Sequence, residues 1–328
     1  MIRTLYRNGQ GELLQDVLPD QFDTILRDNT GILWVDFEGE PPDRCEPILR
    51  GTFGFHPLAV DDALQESHVP KLDDWGQYLY LVLHAVIFDS QNGEHLDTLE
   101  LDVFLGGNYM VTHHDQPIAA LQRTWAACQR DARHWTRGVD HLLYLVSDEL
   151  ANSYMDAFNA MDVAIDQIED ELFDHPGPSV LERLFTIKRA LLTLRRVLAP
   201  QREVLNKLAR DEYAVIDRRD QIFFRDVYDH MVRLYDINES MRDLVGGALD
   251  TYLSVVNNRL NDVMKTLTVI TTLFMPISFV AGFFGMNFFQ PSVPLDVWTS
   301  LPIFLLTLAV CLLIPVGMSL WMRRRRWM

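Results

Sequence analysis

One line of residues near the C-terminus has side chains that could contact water and ions. In a seven-residue frame, positions three and four apart from 247 to 282 fall on one side of a helix. Few of these positions hold large aliphatic residues, although a dry coiled coil would place Leu, Ile or Val there, since each buried CH₂ contributes about 0.8 kcal/mol. The pattern indicates that this side of the helix contacts water, and we call its residues the polar stripe. Its members are Gly247, Asp250, Ser254, Asn257, Asn261, Met264, Thr268, Thr271, Met275, Ser278 and Gly282.

Close helix packing is a second explanation for the small and hydroxyl residues of the polar stripe. Within the apolar part of the sequence the two explanations are not separated. The stripe continues upstream through Asn261, Asn257 and Asp250, however, where close packing does not explain polar side chains. A water-filled pore shared by several copies does explain these polar side chains. Each chain supplies one such helix, so only an oligomer can enclose the channel.

The residue types in the stripe favour a divalent cation that keeps its water. Residues 266–284 contain no carboxylate, whereas a dehydrated divalent ion at hydrocarbon depth would need charged oxygen ligands. Asn, Ser and Thr oxygens are weaker ligands that suit a hydrated ion. Mg²⁺ gives up its water reluctantly, so hydrated Mg²⁺ fits this chemistry.

Two apolar segments predict membrane spans. The only charged residue between positions 266 and 322 is Asp296, and about 20 apolar residues suffice to cross roughly 30 Å of hydrocarbon. We predict a first span at 266–284, an external loop at 285–300 and a second span at 301–322.

Basic residues set the expected orientation. Arg259 and Lys265 precede the first span, and a basic C-terminus at 323–328 follows the second, which predicts that both chain ends are cytoplasmic. The N-terminal residues contain no apolar core of signal-peptide length. The basic C-terminus either anchors the second span or also surrounds a pore mouth; its arginines are Arg323, Arg324, Arg325 and Arg326.

The preceding residues read as a cytoplasmic part. Short β-rich runs broken by Pro, Gly and Asp predict an α/β domain at 1–115. A helical hairpin region is expected at 116–217 and a stalk helix at 218–265, continuous with the first span because Pro276 is the first proline after residue 219. The fold class is thus an α+β membrane protein.

The first arm of the hairpin is strongly acidic. Residues 148–174 carry nine acidic residues and no Lys or Arg, and residues 180–210 carry eight basic residues against two acidic ones. The acidic face is explained by solvation and pairing with the basic arm, or by attraction of cations, and both can hold.

Several function classes are excluded. With 46 acidic against 29 basic residues and a formal charge of -17, the chain is unsuited to nucleic acid. Three distant cysteines suggest neither a disulfide framework nor a thiolate zinc site. No nucleophile elbow, phosphate loop or paired-carboxylate motif supports an enzyme.

A short motif between the predicted spans resembles a known signature. Gly285, Met286 and Asn287 match the Gly-Met-Asn motif of the CorA family of divalent metal ion transporters. The similarity extends upstream through PQREVLNKLARDE (200–212), FFRDVYDH (223–230) and YLSVVNNRLNDVMKTLTVITTLFMP (252–276). The chain is identified as a member of this family, with a ZntB-like zinc transporter branch also possible.

The resemblance implies a homopentamer in the lipid bilayer of the cell inner (plasma) membrane, with cytoplasmic α/β domains, a stalk helix that becomes the first span, and a second span outside it. It assigns Gly285, Met286 and Asn287 to a selectivity filter. Apolar constrictions that gate the pore by dewetting would fall on Met264, Leu267 and Met275. The implied pore-lining set, which includes Thr271 from the polar stripe, is Ser278, Met275, Thr271, Leu267, Met264, Asn261 and Asp250.

The resemblance also implies regulation by cytosolic Mg²⁺ bound between neighbouring subunits. The matching positions are Asp89 and Asp226, whose carboxylates would repel when no ion is bound and be bridged by a divalent ion. The metal-contacting residues are then Asp89, Asp226 and Asn287. Mg²⁺ is expected both as cargo and as regulator, and Co²⁺, Ni²⁺ or Zn²⁺ can also be carried.

Three functions stay open at this point. The preferred one is Mg²⁺ influx through a passive channel, and the alternative is proton-coupled Zn²⁺ transport of the ZntB type. Phe289, Gln290 and Pro291 occupy the region where the family often carries a Glu, which bears on ion attraction at the mouth. The third is a membrane-anchored scaffold, which would need neither the polar stripe nor the signature.

Overall fold

The computed structural model describes residues 1–65, 69–89, 94–174, 176–286 and 300–325. The chain divides into two compact units, Met1–Asp250 and Thr251–Met328. The first unit contains a seven-stranded sheet and most of the helices, and the second contains two apolar helical segments.

The sheet has the strand order β2-β1-β3-β7-β6-β5-β4. Only the β3–β7 pair is parallel among the described strands. Strand β5, which lies next to the edge strand β4, is an almost unbroken apolar run, and its residues from Leu79 to Val86 are buried, as expected for a strand covered on both faces. The strands are β1 (Ile2–Arg7), β2 (Leu13–Gln15), β3 (Ile32–Glu38), β4 (Lys71–Asp74), β5 (Leu79–Asp89), β6 (His95–Leu105) and β7 (Tyr109–His114).

Helices cover both faces of this sheet. One face packs an aromatic core, in which the rings of Phe55 and Phe104 stack at 4.2 Å, against three short helices. On the other face, Trp34 of β3 contacts Trp125 with ring centroids 4.8 Å apart. The helices of this unit before the stalk are α1 (Phe22–Arg27), α2 (Pro42–Pro47), α3 (Pro57–Leu64), α4 (Ala119–Arg130), α5 (Val139–Asp174) and α6 (Pro178–Arg210).

Helices α5 and α6 form the long hairpin. Gly177 and Pro178 set the start of α6, since proline fits the first helical turn where no N–H bond is lost. Glu171 and Arg183 make an ion pair between the acidic and the basic arm, with 2.9 Å between Oε1 and Nη1, and Arg183 also contacts Glu94. Charge pairing between the arms therefore occurs among the described residues.

A glutamine side chain completes the edge of β5. Strand β4 pairs only with residues 79–82 of β5, so the backbone beyond them needs other partners. The Gln201 amide fits that need: its Oε1 accepts from the His84 N–H at 2.8 Å, and its Nε2 donates to the His84 carbonyl at 3.3 Å. The Tyr154 hydroxyl donates to the same carbonyl at 3.0 Å. Strand β5 is thereby fixed to both α5 and α6.

Helix α7 runs without interruption over Gln221–Gly285, 65 residues, and α8 spans Leu301–Arg324. Each is long and apolar enough to cross a membrane. The predicted architecture of an α/β domain followed by a long helix and a second apolar helix is confirmed, and α7 carries an internal proline, Pro276.

The first turns of α7 are anchored to the start of α5. The buried carboxylate of Asp140 accepts the Asp217 N–H at 2.8 Å, just before α7 begins, and the ring of His141 contacts Phe223 with centroids 5.6 Å apart. Further along, the Arg202 guanidinium lies over the Tyr235 ring at 4.9 Å, and Arg195 Nε is 3.4 Å from Glu239 Oε1.

Asn238 lies between these two contacts in the sequence of α7. It is fully buried, and neither its Oδ1 nor its Nδ2 has a hydrogen-bond partner within the described residues. The contacts of α7 with α6 on this stretch are thus made by charged and aromatic side chains, and the same stretch of α7 carries a buried amide.

We predict that Gln201→Leu lowers the free energy of unfolding by about 1–3 kcal/mol, because it removes both bonds to the buried His84 backbone. The measurement is denaturant unfolding in detergent. The control Gln122→Leu changes an exposed glutamine of α4 and is expected to stay within about 0.5 kcal/mol. Equal effects in the two variants would contradict the role of Gln201.

We predict that stability falls on acidification partly through His141. Burial, followed by the nearby charges of Arg137 and His134, lowers its pKa from 6.5 to about 4. Between these values the unfolded chain binds the proton and the folded chain does not, so the contribution is present above about pH 6.5 and is lost towards pH 4. Its size is roughly 2–3 kcal/mol.

Unfolding of His141→Asn in detergent at several pH values tests this expectation. The variant should show a shallower fall of stability across that window. His95→Asn replaces an exposed histidine of β6 and should keep the slope of the unmodified protein; the same slope in His141→Asn would rule out the assignment.

Candidate ion pathway and metal-binding groups

Helix α7 carries the whole polar stripe. Every stripe residue is exposed in the single chain, whereas Val245, Ala248 and Tyr252, on other sides of the same helix, are buried. Beyond residue 252 exposure alone does not mark the stripe, since Phe279 is 71% exposed and Met275 65%. The side-chain type distinguishes the polar stripe from the other exposed residues: Phe279 is a large apolar side chain that suits lipid, while the stripe residues are mainly small and polar. The partly covered residues of this stretch lie elsewhere on the helix, at Val255, Val269, Thr272, Leu273, Pro276, Ile277 and Val280.

Two hydroxyl groups of the polar stripe donate their protons to carbonyls of α7 itself. Thr268 Oγ1 donates to the Met264 carbonyl at 2.8 Å, and Thr271 Oγ1 donates to the Leu267 carbonyl at 2.9 Å. Because each proton is given to the helix itself, the hydroxyl oxygen presents acceptor lone pairs to its surroundings. Water bound to a cation points its hydrogens outward, so acceptors are what a hydrated cation needs.

The remaining predicted pore residues follow the same helix. Asp250, Asn261 and Ser278 are exposed, and the apolar positions Met264 and Leu267 are 54% and 57% exposed. These positions are therefore open to contact with further copies of the chain.

The predicted filter begins where α7 ends. Gly285 is the last residue of α7, and the Met286 N–H donates to the Phe283 carbonyl at 3.3 Å. Asn287 lies outside the described residues, as do Phe289, Gln290, Pro291 and Asp296.

At the C-terminus, Arg323 and Arg324 are the last residues of α8, and the Arg325 guanidinium lies 5.8 Å from the Trp321 ring centroid. Arg326 falls outside the described residues.

Asp89 and Asp226 lie on different elements of the first unit. Asp89 is the final residue of β5, opposite His95 in the register, and is partly exposed. Asp226 is exposed in the second turn of α7. Their pairing across a subunit boundary stays a prediction, since the structure contains one chain.

Another group of potential ligands is an ion-pair network. The ligand atoms of Asp36, Glu38 and His114 lie within 4.8 Å of one another, but Asp36 already accepts from Arg3 Nε at 3.0 Å and from Thr112 Oγ1 at 2.6 Å. Burial would raise the pKa of Asp36, but the hydrogen bond and charge of His114, with Thr112 and Arg3, together hold it below its usual value. Because Arg3, Thr112 and His114 already contact the Asp36 carboxylate, its oxygens have partners without a metal.

We expect Asp36→Asn to cost about 3 kcal/mol of unfolding free energy, because it leaves the charge of Arg3 without its buried partner. Denaturant unfolding in metal-free buffer measures this loss. Asp97→Asn removes an exposed carboxylate and should change little; a comparable small effect for Asp36→Asn would mean that the network is not stabilising.

Sequence reasoning missed a cluster that the sheet brings together. His84, Glu100, Asp102 and His113 come from three strands and line one cavity. No local spacing such as HxxxH could reveal them, because the strand register, which brings them together, is not visible in a linear pattern.

Comparisons with known proteins decide the family. A family model described as CorA-like Mg²⁺ transporter protein matches residues 29–324. The chain belongs to the CorA family. It is 32% identical over 322 residues to the cobalt/magnesium transport protein CorA of Thermotoga maritima, covering 96% of this chain and 87% of that protein.

Solved CorA-family structures share the fold. The complete CorA magnesium transporter of Methanocaldococcus jannaschii matches with a TM-score of 0.84 at 22% identity, covering 99% of this chain and 98% of that one. The cytoplasmic domain of ZntB from Vibrio parahaemolyticus matches with a TM-score of 0.59 at 15% identity, covering 77% and 98%. The predicted recognition and fold class are therefore confirmed.

Membership in the CorA family settles two coarse predictions. The chain is a membrane transport protein and not an enzyme. Its two candidate spans, in α7 and α8, fit a two-span topology.

Proposed function

We propose that this chain forms a homopentameric channel that carries hydrated Mg²⁺ into the cell. The observation that carries the proposal is the polar stripe, which follows one side of the uninterrupted helix α7 from Gly247 to Gly282. Co²⁺ and Ni²⁺, which bind oxygen ligands in the same charge state, are expected as further cargo.

The heptad spacing of the stripe supports an oligomeric pore. A straight α-helix drifts about 20° per heptad away from a seven-residue repeat, so the stripe stays on the pore axis only if the α7 helices of several copies supercoil left-handedly. The number five rests on the resemblance to the family. Residues 285–300 would then form the external loop and α8 would pack outside the ring.

Hydration explains why the pore needs few charges. Acceptor oxygens at Thr268 and Thr271 contact the hydrogens of ion-bound water, and Asn261 provides a further carbonyl. Met264, Leu267 and Met275 form apolar rings that close the pathway by dewetting. The Gly285-Met286-Asn287 filter meets the ion outside, and Asp250 forms an acidic ring towards the cytoplasm.

Cytosolic Mg²⁺ would regulate the pore through Asp89 and Asp226. An ion that bridges these carboxylates between neighbouring subunits stabilises the closed pentamer. Loss of the ion shifts the population towards conformations in which the subunits move apart. The acidic carboxylates repel one another without it.

The electrical potential across the plasma membrane supplies the driving force for cation influx. With both chain ends cytoplasmic, as the basic residues around Arg323 favour, an inside-negative potential contributes about 2.3 kcal/mol per charge for each 100 mV. Influx of a divalent ion then needs no coupled proton. Proton-coupled Zn²⁺ transport is the alternative that the experiment must distinguish from passive Mg²⁺ influx.

We predict that Asn257→Leu lowers Mg²⁺ flux into proteoliposomes at least about tenfold, because each copy in the ring loses a water contact of roughly 1 kcal/mol. Asn258→Leu is the matched control: the same change lies one residue on, about 100° round the helix, and should leave flux near that of the unmodified protein. Native mass spectrometry of each variant shows whether the assembly is retained.

The same liposomes test the ion and the coupling. Mg²⁺ flux that follows voltage and ignores a pH gradient, and that is lost in Asn287→Ala, supports the channel. Zn²⁺ uptake that grows with a proton gradient would favour the alternative, and equal losses in Asn257→Leu and Asn258→Leu would refute the assignment of the stripe to the pore.

A further inference from the structure

Strands β5 and β6 extend beyond the rest of the sheet as a two-stranded ribbon. Strand β4 pairs with β5 at residues 79–82 and β7 pairs with β6 at residues 102–105, whereas β5 and β6 pair with each other as far as Asp89 and His95. Within the described sheet, residues 83–89 and 95–101 therefore have each other as strand partners, and we call them the ribbon. Two strands alone are marginally stable, so the position of the ribbon depends on its attachments.

The packing beneath the ribbon is incomplete. A half-open cavity of about 230 Å³ lies between the ribbon and helices α4 and α5, and it is lined by Val86, Phe88 and Leu99 of the ribbon with Ala120 and Ala157 of the helices. Protein interiors ordinarily contain few voids larger than a water molecule. Packing against α4 and α5 therefore leaves the ribbon room to move, and its end needs a further attachment.

Helix α6 holds the ribbon at two points. Near the base of the ribbon, the His84 backbone is bonded to Gln201. At the other end Glu94, which immediately precedes β6, accepts from Arg183: its Oε1 lies 2.7 Å from Nε and 2.6 Å from Nη2. Arg183 also pairs with Glu171 of α5. One guanidinium thus joins the ribbon end to both arms of the helical hairpin.

Glu94 occupies a position that is unfavourable for its residue type. Its φ is 60°, in the left-handed region that glycine adopts freely and that a residue with a Cβ adopts at a cost in free energy. It is also 4% exposed, and a buried carboxylate is costly without a cation beside it. Glycine would avoid both costs, so what the chain gains from Glu94 is the contact with Arg183.

The same ribbon end carries Asp89, the β5 residue assigned to the regulatory Mg²⁺ site. Asp89 lies opposite His95 in the strand register, and His95 follows Glu94 directly. Residues directly opposite in an antiparallel pair have Cα atoms about 5 Å apart, so an attachment at Glu94 also restrains the backbone of Asp89. A ligand that is in place before the ion arrives binds it more tightly than one that must be ordered on binding.

We propose that Arg183 is a positioning residue for the regulatory cation site: through Glu94 it holds the ribbon end, and with it the Asp89 carboxylate, in the place where the divalent ion is bound. A guanidinium offers no lone pair to a metal ion, so Arg183 acts through the carboxylates that it orders. This inference rests on the proposed regulation by cytosolic Mg²⁺ and adds a residue to it.

Hydrogen exchange of the full chain in detergent tests whether Arg183 holds the ribbon. In Mg²⁺-free buffer, Arg183→Gln is expected to speed exchange of the hydrogen-bonded amides of the ribbon at least about threefold, because local opening sets their exchange rate. The amides at 79–82, which have strands on both sides, should keep their rates. Arg196→Gln removes an exposed arginine of the same helix; as the matched control, it should exchange like the unmodified protein.

Current recordings from the full chain in a planar bilayer test the effect on regulation. Arg183→Gln is expected to raise the cytoplasmic Mg²⁺ concentration that halves the current at least about threefold, because the binding-competent conformation is less populated. The current at low cytoplasmic Mg²⁺ should stay near that of the unmodified protein. Glu94→Gln, which keeps the side-chain length, should show the same shift and Arg196→Gln none. The double variant Arg183→Gln/Glu94→Gln should shift no further than either single variant, since both changes remove one contact.

Asp89→Asn distinguishes this proposal from the one on which it rests. If Asp89→Asn leaves inhibition by cytoplasmic Mg²⁺ unchanged, the regulatory role of Asp89 is wrong, and the positioning role of Arg183 falls with it. If Asp89→Asn weakens inhibition but Arg183→Gln and Glu94→Gln do not, the positioning role alone is overturned. A further shift by Arg183→Gln in the Asp89→Asn background would also overturn it, as would unchanged exchange of the ribbon in Arg183→Gln.

Discussion

An α-helix satisfies its backbone hydrogen bonds from within, and α7 depends on this property throughout. A helix that continues from a water-exposed domain into an apolar segment cannot borrow backbone partners from hydrocarbon. Pro276 removes one donor from this ladder, while Thr268 and Thr271 add side-chain donors to earlier carbonyls. The same contacts that keep the backbone satisfied also fix which polar atoms face outward, so the chemistry of the stripe follows from the helix itself.

Two groups of polar side chains in this chain differ in chemical type. The polar stripe offers amide and hydroxyl oxygens, which accept hydrogen bonds from the water of a hydrated ion and do not bind the ion directly. The sheet cavity lined by His84, Glu100, Asp102 and His113 offers imidazoles and carboxylates instead. Both kinds of group sit in a strongly acidic protein with a formal charge of -17, whose field raises the local concentration of any cation.

The long helices could be predicted from sequence because their signals are local. The signals are the apolar runs, the Gly-Pro break near residue 177 and the lack of proline from residue 220 to 275. Each lies within the segment whose structure it determines. Strand β4 (Lys71–Asp74) has no strand signal in the sequence, since three of its four residues are charged and its pairing with β5 decides its conformation. The parallel β3–β7 pair and the cluster of His84, Glu100, Asp102 and His113 depend on register between distant segments, which no single segment encodes. The filter residue Asn287 and its loop remain sequence-based assignments.

The stretch of α7 around Asn238 has a mechanical consequence. A buried amide without partners costs about 1–3 kcal/mol, and the contacts beside it, Arg202 on Tyr235 and Arg195 with Glu239, are made by long side chains that can follow a moving partner. A small axial shift of α7 that brings water or a backbone group to Asn238 would recover part of that cost. Movement of α7 along its axis therefore meets less resistance at these contacts than a fully satisfied, close-packed interface of the same length would offer.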